Sequence, residues 1–111
     1  MKLSELISKT DFKLLSGDGN KEIQGCYIGD LLSLAMSKVQ KDNIWITIQS
    51  NINIIAVASL TEAGCIVVCE GFSVDDTVLK RAESEDITVL TSSMSEYEIA
   101  KILVNNNIWW R

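Results

Sequence analysis

The sequence predicts an α/β domain, a mostly parallel sheet of about five strands with helices on its faces. Three observations predict it. Short runs rich in Ile, Val and Thr alternate along the chain with stretches of helical period. The link from Leu15 to Glu22 is too short for a crossover helix, which needs about a dozen residues, so the first strand is expected as an antiparallel edge. No repeat or linker breaks the pattern, so residues 1–111 read as a single domain.

Each element has its own signal. Leu3, Leu6 and Ile7 fit a short helix to Lys9, with Ser4 available to cap it. Phe12 to Leu15 reads as a strand, and Ser16-Gly17-Asp18-Gly19-Asn20 as a turn. Glu22 to Ile28 is expected as the second strand, with Ile23 and Tyr27 at even spacing. Gly29-Asp30 opens a helix to Val39, its apolar positions at 31, 32, 35, 36 and 39. Asp30 suits the positive end of that helix. Ile44 to Ile48 is a β-branched strand. Asn51 is a good cap for Ile52 to Leu60, read as a helix stopped by Gly64. Cys65 to Cys69 is a strand. Ser73-Val74-Asp75-Asp76 resembles a capping box before a helix carrying Val78, Leu79 and Ala82. Ile87 to Leu90 is the last strand. Ser95-Glu96-Tyr97-Glu98 is a capping box opening a helix to Val104, followed by Asn105-Asn106-Asn107 and an apolar tail.

Composition excludes several kinds of function. The chain of 111 residues has no His and no Pro, 47% hydrophobic residues and a net charge of −5. Without His there is no Ser–His or Cys–His nucleophile pair and no His-bearing zinc site. Net acidity argues against nucleic acid and anionic membrane as partners. Three cysteines cannot close a disulfide framework. On one strand, Cys65 and Cys69 stand about 13 Å apart, and a disulfide needs Cα atoms within about 7 Å. They are expected as buried thiols in a reducing compartment; a redox or metal role is the alternative. No signal peptide or transmembrane stretch is expected, and the localisation reads as cytoplasmic.

Two stretches carry a family resemblance. One is Asn20-Lys21-Glu22-Ile23-Gln24-Gly25-Cys26-Tyr27-Ile28-Gly29-Asp30-Leu31-Leu32. The other is Asp42-Asn43-Ile44-Trp45-Ile46-Thr47-Ile48-Gln49, followed by Asn53-Ile54-Ile55-Ala56-Val57-Ala58-Ser59-Leu60. Over essentially its whole length the chain resembles the DRTGG domain family, in a stand-alone form similar to the non-catalytic amino-terminal region of HPr kinase. Other members are attached to phosphotransacetylases and CBS-domain pyrophosphatases, as regulatory or dimer-forming modules. In the naming motif, Asn20 replaces Asp, Lys21 replaces Arg, Gln24 replaces Thr and Cys26 replaces the second Gly; Gly25 is kept. Kinase activity does not follow from the resemblance. A phosphate-cradling loop needs Gly-Lys, and the six glycines here precede Asp18, Asn20, Cys26, Asp30, Cys65 and Phe72.

Gly17-Asp18-Gly19 precedes a strand and reads as a turn, not a dinucleotide fingerprint. Asp75-Asp76 and Glu83-Glu85-Asp86 read as a solvated helix face. In open α/β sheets ligands sit outside the carboxyl ends of the strands. Here those ends carry Gln49, Ser50, Asn51, Glu70, Gly71, Thr91, Ser92 and Ser93. These residues are either helix caps or the lining of a small-molecule pocket. Lys21, Gly25, Gly29 and Asp30 are expected to shape a structural corner, the glycines allowing a bend or close backbone approach. No metal or cofactor is implied.

The expected function is a non-catalytic regulatory or interaction module, acting as a homodimer. A metabolic enzyme or signalling protein encoded nearby is a possible partner. The alternative is a sensor for a nucleotide or phosphometabolite at the strand ends. An apolar helix needs cover on all sides. Ile52, Ile55 and Val57, with Trp109 and Trp110, are therefore expected at the dimer interface; the rival cover is the first helix, through Leu3, Leu6 and Ile7.

Overall fold

The computed structural model describes residues 1–109. Ten elements follow in chain order: α1 (Leu3–Ser8), β1 (Lys13–Ser16), β2 (Cys26–Ile28), α2 (Leu32–Lys38), β3 (Ile44–Thr47), α3 (Asn53–Thr61), β4 (Cys65–Val68), α4 (Asp76–Ser84), β5 (Val89–Thr91) and α5 (Glu96–Asn105). The strands form one sheet in the order β1-β5-β4-β3-β2. β2, β3, β4 and β5 run parallel, and β1 is an antiparallel edge on β5 with a register shift between Leu14 and Ser16.

β3 and β4 are buried along their whole length, as expected of parallel strands covered on both sides. Alternation along them sorts side chains into two cores. Ile44, Ile46, Cys65, Val67 and Cys69 meet Leu3 and Leu6 of α1 and Ile99 and Leu103 of α5. Trp45, Ile66 and Val68 meet α2, α3 and α4 through Ala35, Ile54, Ile55, Val57, Ala58, Val78 and Ala82.

Several local expectations are corrected. β2 begins at Cys26, not Glu22. The stretch before it pairs instead with the start of the chain, where Leu3 N donates to Lys21 O at 2.8 Å and Ile23 N to Met1 O at 2.8 Å. Gly25, at φ +73°, then turns the chain into the sheet. α1 starts at Leu3, so Ser4 lies in its first turn and not at the cap. α3 is stopped by Glu62, left-handed at φ 58°, and not by Gly64. Gly64 leads into β4 in a tight space, where an added Cβ would lie 2.9 Å from Asp42 O. The box expected at Ser73 does not form; Asp75 precedes α4 without a side-chain cap bond. The box at Ser95 and Glu98 does form.

The expected interface is also corrected. Ile55 and Val57 are 1% and 2% exposed inside the chain's own core, so they cannot meet a second subunit. The cover is α2, which packs beside α3. The rival, α1, lies on the opposite face of the sheet. Ile52 remains exposed. The Trp109 carbonyl accepts Cys26 N at 2.9 Å, beside edge strand β2, while its side chain is 61% exposed. Trp110 lies outside the described residues. No helix among the described residues is long and apolar enough to cross a membrane.

Candidate functional site

Parallel β2–β5 bring their carboxyl ends to one edge of the sheet. The expected strand-end residues divide there into two groups. Beside β2 and β3, Asp30 organises the loops. Its Oδ1 accepts Ile48 N at 2.9 Å and Thr47 Oγ1 at 3.1 Å. Gln49 Nε2 donates to the Asp30 carbonyl at 2.8 Å, and Gln49 Oε1 accepts Asn51 Nδ2 at 3.1 Å. Asn51 Oδ1 in turn accepts Asn53 N at 2.9 Å, at the start of α3. Gln49 and Asn51 are thus spent on loop structure, with Ser50 between them. Asp30 ties two strand exits together and does not cap α2, whose N-cap position is Leu31, without a side-chain cap bond.

Beside β4, β5 and β1 lies an open groove of about 450 Å³. Gly71, Thr91, Ser92 and Ser93 line it; Glu70, Gln49, Ser50 and Asn51 do not. Glu70 and Gly71 take successive left-handed conformations, φ 61° and 75°, which turn the chain sharply after β4. Their N–H groups donate to Met94 O and Ser92 O, each at 2.9 Å, and join this turn to the β5–α5 loop. Phe72 then stands at the groove, 49% exposed. Leu15, Val74 and Leu79 give an apolar wall, and Lys13 is the cation in the lining.

Asp11 is a groove residue that sequence reasoning missed. Its carboxylate accepts Ser92 Oγ at 2.5 Å, Ser93 N at 2.9 Å and Ser93 Oγ. Burial raises its pKa, but the hydrogen bonds from Ser92 and Ser93 outweigh this and hold it below the usual Asp range. Ser92 lies 81 positions away along the chain, and no local pattern joins the two.

Glu96 is the second missed residue. It opens α5, where the sequence reads only as a capping box. Its Oε2 is buried, and no N–H or O–H group among the described residues donates to it. Burial first, then hydrogen bonding with Asp30, then the charges of Asp30 and Glu70, push its pKa up to about 7. Cys69 lies beside this acidic group. Burial, followed by the charges of Glu96, Glu70 and Asp30, raises its thiol to about 12. Burial raises Cys65 to about 12 as well. All three cysteines are free and buried, so they are thiols at neutral pH and poor nucleophiles. Among the described residues, no set of three or more Cys, Asp or Glu side chains is placed to hold a metal.

The motif residues are split between the two edges of the sheet. Lys21 lines a separate hollow of about 290 Å³ with Lys41, Asp42, Glu62, Glu85 and Asp86, at the amino ends of the strands. Lys21 and Asp30 therefore lie at opposite ends of β2. Gly29 does stand beside Asp30, where an added Cβ would lie 2.8 Å from the Tyr27 ring. Its carbonyl accepts Trp45 Nε1 at 3.1 Å.

The molecule is thus a small, mostly parallel α/β module with a groove at the carboxyl edge of its sheet. The DRTGG domain model matches residues 5–105, and the chain belongs to the DRTGG domain family. No curated protein matches it in sequence. A solved structure similar to it is that of the CBS and DRTGG domains of the regulatory region of a Clostridium perfringens pyrophosphatase, complexed with the activator diadenosine tetraphosphate. The likeness has a TM-score of 0.76 at 12% identity and covers 93% of this chain. At that identity it establishes a shared fold. This chain spans 46% of the other one.

Proposed function

We propose that this chain is a non-catalytic regulatory module that takes a small ligand in the groove between β1, the β4–α4 loop and the β5–α5 loop. The observation that carries this reading is the groove itself, open at the strand ends where α/β sheets receive ligands. Its acidic side chain, Asp11, is already engaged by Ser92 and Ser93. Family membership and the regulatory setting of the pyrophosphatase domains support a regulatory role, and the nucleotide bound in that structure makes nucleotides the first ligands to try. Phe72 offers a face for a planar ring, and Lys13 a charge for a phosphate.

Thermal-shift titration with nucleotides and phosphometabolites tests the proposal. A ligand at 100 times its Kd stabilises by about 2.7 kcal/mol, a rise in Tm of the order of 10 °C for a domain this size. The rise is expected to shrink in Phe72→Ala, whose half-exposed side chain is not part of either core. No shift with any compound ends the reading.

The module is further proposed to work as a homodimer in the cytoplasm, acting on a metabolic enzyme or signalling protein. Leu31, Leu34 and Met36 around α2, with Ile52 before α3, leave exposed apolar surface for such a contact. Light scattering over a dilution series checks it, and a monomer mass at micromolar concentrations ends it.

A further inference from the structure

Glu96 poses a question that ligand binding does not answer. Its Oε2 is buried without a donor, yet its hydrogen-bonding neighbour is Asp30, another carboxyl. Two carboxylates repel, and both oxygens are acceptors. They can meet only across a proton held by one of them. Asp30 is poorly placed to be the donor of the pair, because its Oδ1 already accepts Ile48 N and Thr47 Oγ1. Glu96 receives no such support.

We propose that Glu96 carries a proton on the acid side of neutrality and donates it to Asp30, forming a proton-dependent latch between the start of α5 and the β2–α2 turn. The groups around the latch all favour the protonated state. Asp30 faces it from the β2–α2 turn, and Glu70 from the end of β4. Cys69, on the same strand end, is a neutral thiol. Within α5, Glu98 is occupied by Ser95 N and Oγ. Just after α1, Lys9 Nζ donates to Asn106 Oδ1 past the far end of α5. The ion pairs Met1–Glu22 and Arg81–Glu85 involve neither carboxyl. The chain has no histidine, the residue that ordinarily changes charge near neutral pH. Here a carboxylic acid takes that part.

The sign of the linkage is set by the raised pKa of Glu96. Between its ordinary value of 4.5 and about 7, the folded chain keeps a proton that the unfolded chain releases. Stability therefore falls as pH rises through that window and levels off above it. When the proton leaves, the latch opens and two anions face each other at the carboxyl edge of the sheet. This holds whether or not the groove takes a ligand.

Carbon-detected NMR titration of the side-chain carboxyls tests the latch directly. The Glu96 resonance is expected to titrate with a midpoint near 7, and to return toward the ordinary Glu range in Asp30→Asn, which keeps an acceptor for Ile48 N and removes the charge. Urea unfolding from about pH 5 to 8.5 gives a second readout. The wild-type slope should correspond to uptake of about one proton on folding. Glu96→Gln keeps a donor toward Asp30 and should flatten that slope. Amide exchange at Glu96 to Glu98 and at Gly29 to Leu31, corrected for intrinsic rates, should quicken above neutral pH in the wild type alone. A Glu96 midpoint in the ordinary range, or the same slope in Glu96→Gln, overturns the proposal.

Discussion

Gly17 sits at φ +92°, and an added Cβ would lie 2.5 Å from Thr88 Cα. The obstacle is backbone, which cannot swing away. Gly17→Ala is therefore expected to cost more than the roughly 1 kcal/mol typical of an incompatible glycine site, read as a lower urea midpoint with unchanged m-value. The cysteines make the opposite case. Cys65 and Cys69 are fully buried and pack in the same core, and their thiols are held far from ionisation. They are expected to resist thiol reagents in the folded state and to react on unfolding. The double change to Ala is expected to keep the fold, at a cost of roughly 1 kcal/mol per site. Ligand shifts that disappear in this variant while it stays folded would give the thiols a function.

At the scale of elements, α3 is the instructive one. Its apolar circumference is legible in Ile52 to Leu60, and so is the need for cover on more than one side. What supplies the cover is not legible, because α2 and α3 meet only after β3 has carried the chain back across the sheet. The consequence is testable. Ile55→Asp and Val57→Asp are expected to unfold the chain, because each places an unpaired charge in a core that offers it no partner. Circular dichroism should show loss of structure in both. A folded protein of smaller mass would return these residues to an interface between subunits. At α5, the cap was readable because the Ser95 and Glu98 pattern is local. Ser95→Ala is expected to cost about 1 kcal/mol.

For the whole molecule, Asp11 is the longest-range tie in the site. It joins the segment before β1 to the β5–α5 loop, 81 and 82 positions away. Because its pKa is depressed in the folded state, its contribution is fully present above the ordinary Asp value of 3.8. It is lost as pH falls further, toward the depressed folded value. Glu96 acts in the other direction, its contribution fading as pH rises toward about 7. The two together predict a stability maximum on the acid side of neutrality. Unfolding measured across pH checks this. Asp11→Ala is expected to soften the acid limb, and Glu96→Gln to remove the decline toward neutral pH.

By itself the sequence determined the kinds and order of the elements, the antiparallel first strand and the exclusion of histidine chemistry. These follow from side-chain periodicity, link length and composition, which are properties of neighbouring residues. The strand-end rule placed Gly71, Thr91, Ser92 and Ser93 at the groove, because parallel strands must end on one edge. Only the tertiary structure decided that Asp11 would hold Ser92 and Ser93, that α2 would cover α3, and that Asp30 and Glu96 would face each other. Those pairings join segments tens of residues apart, and no local pattern carries a distance across the sheet.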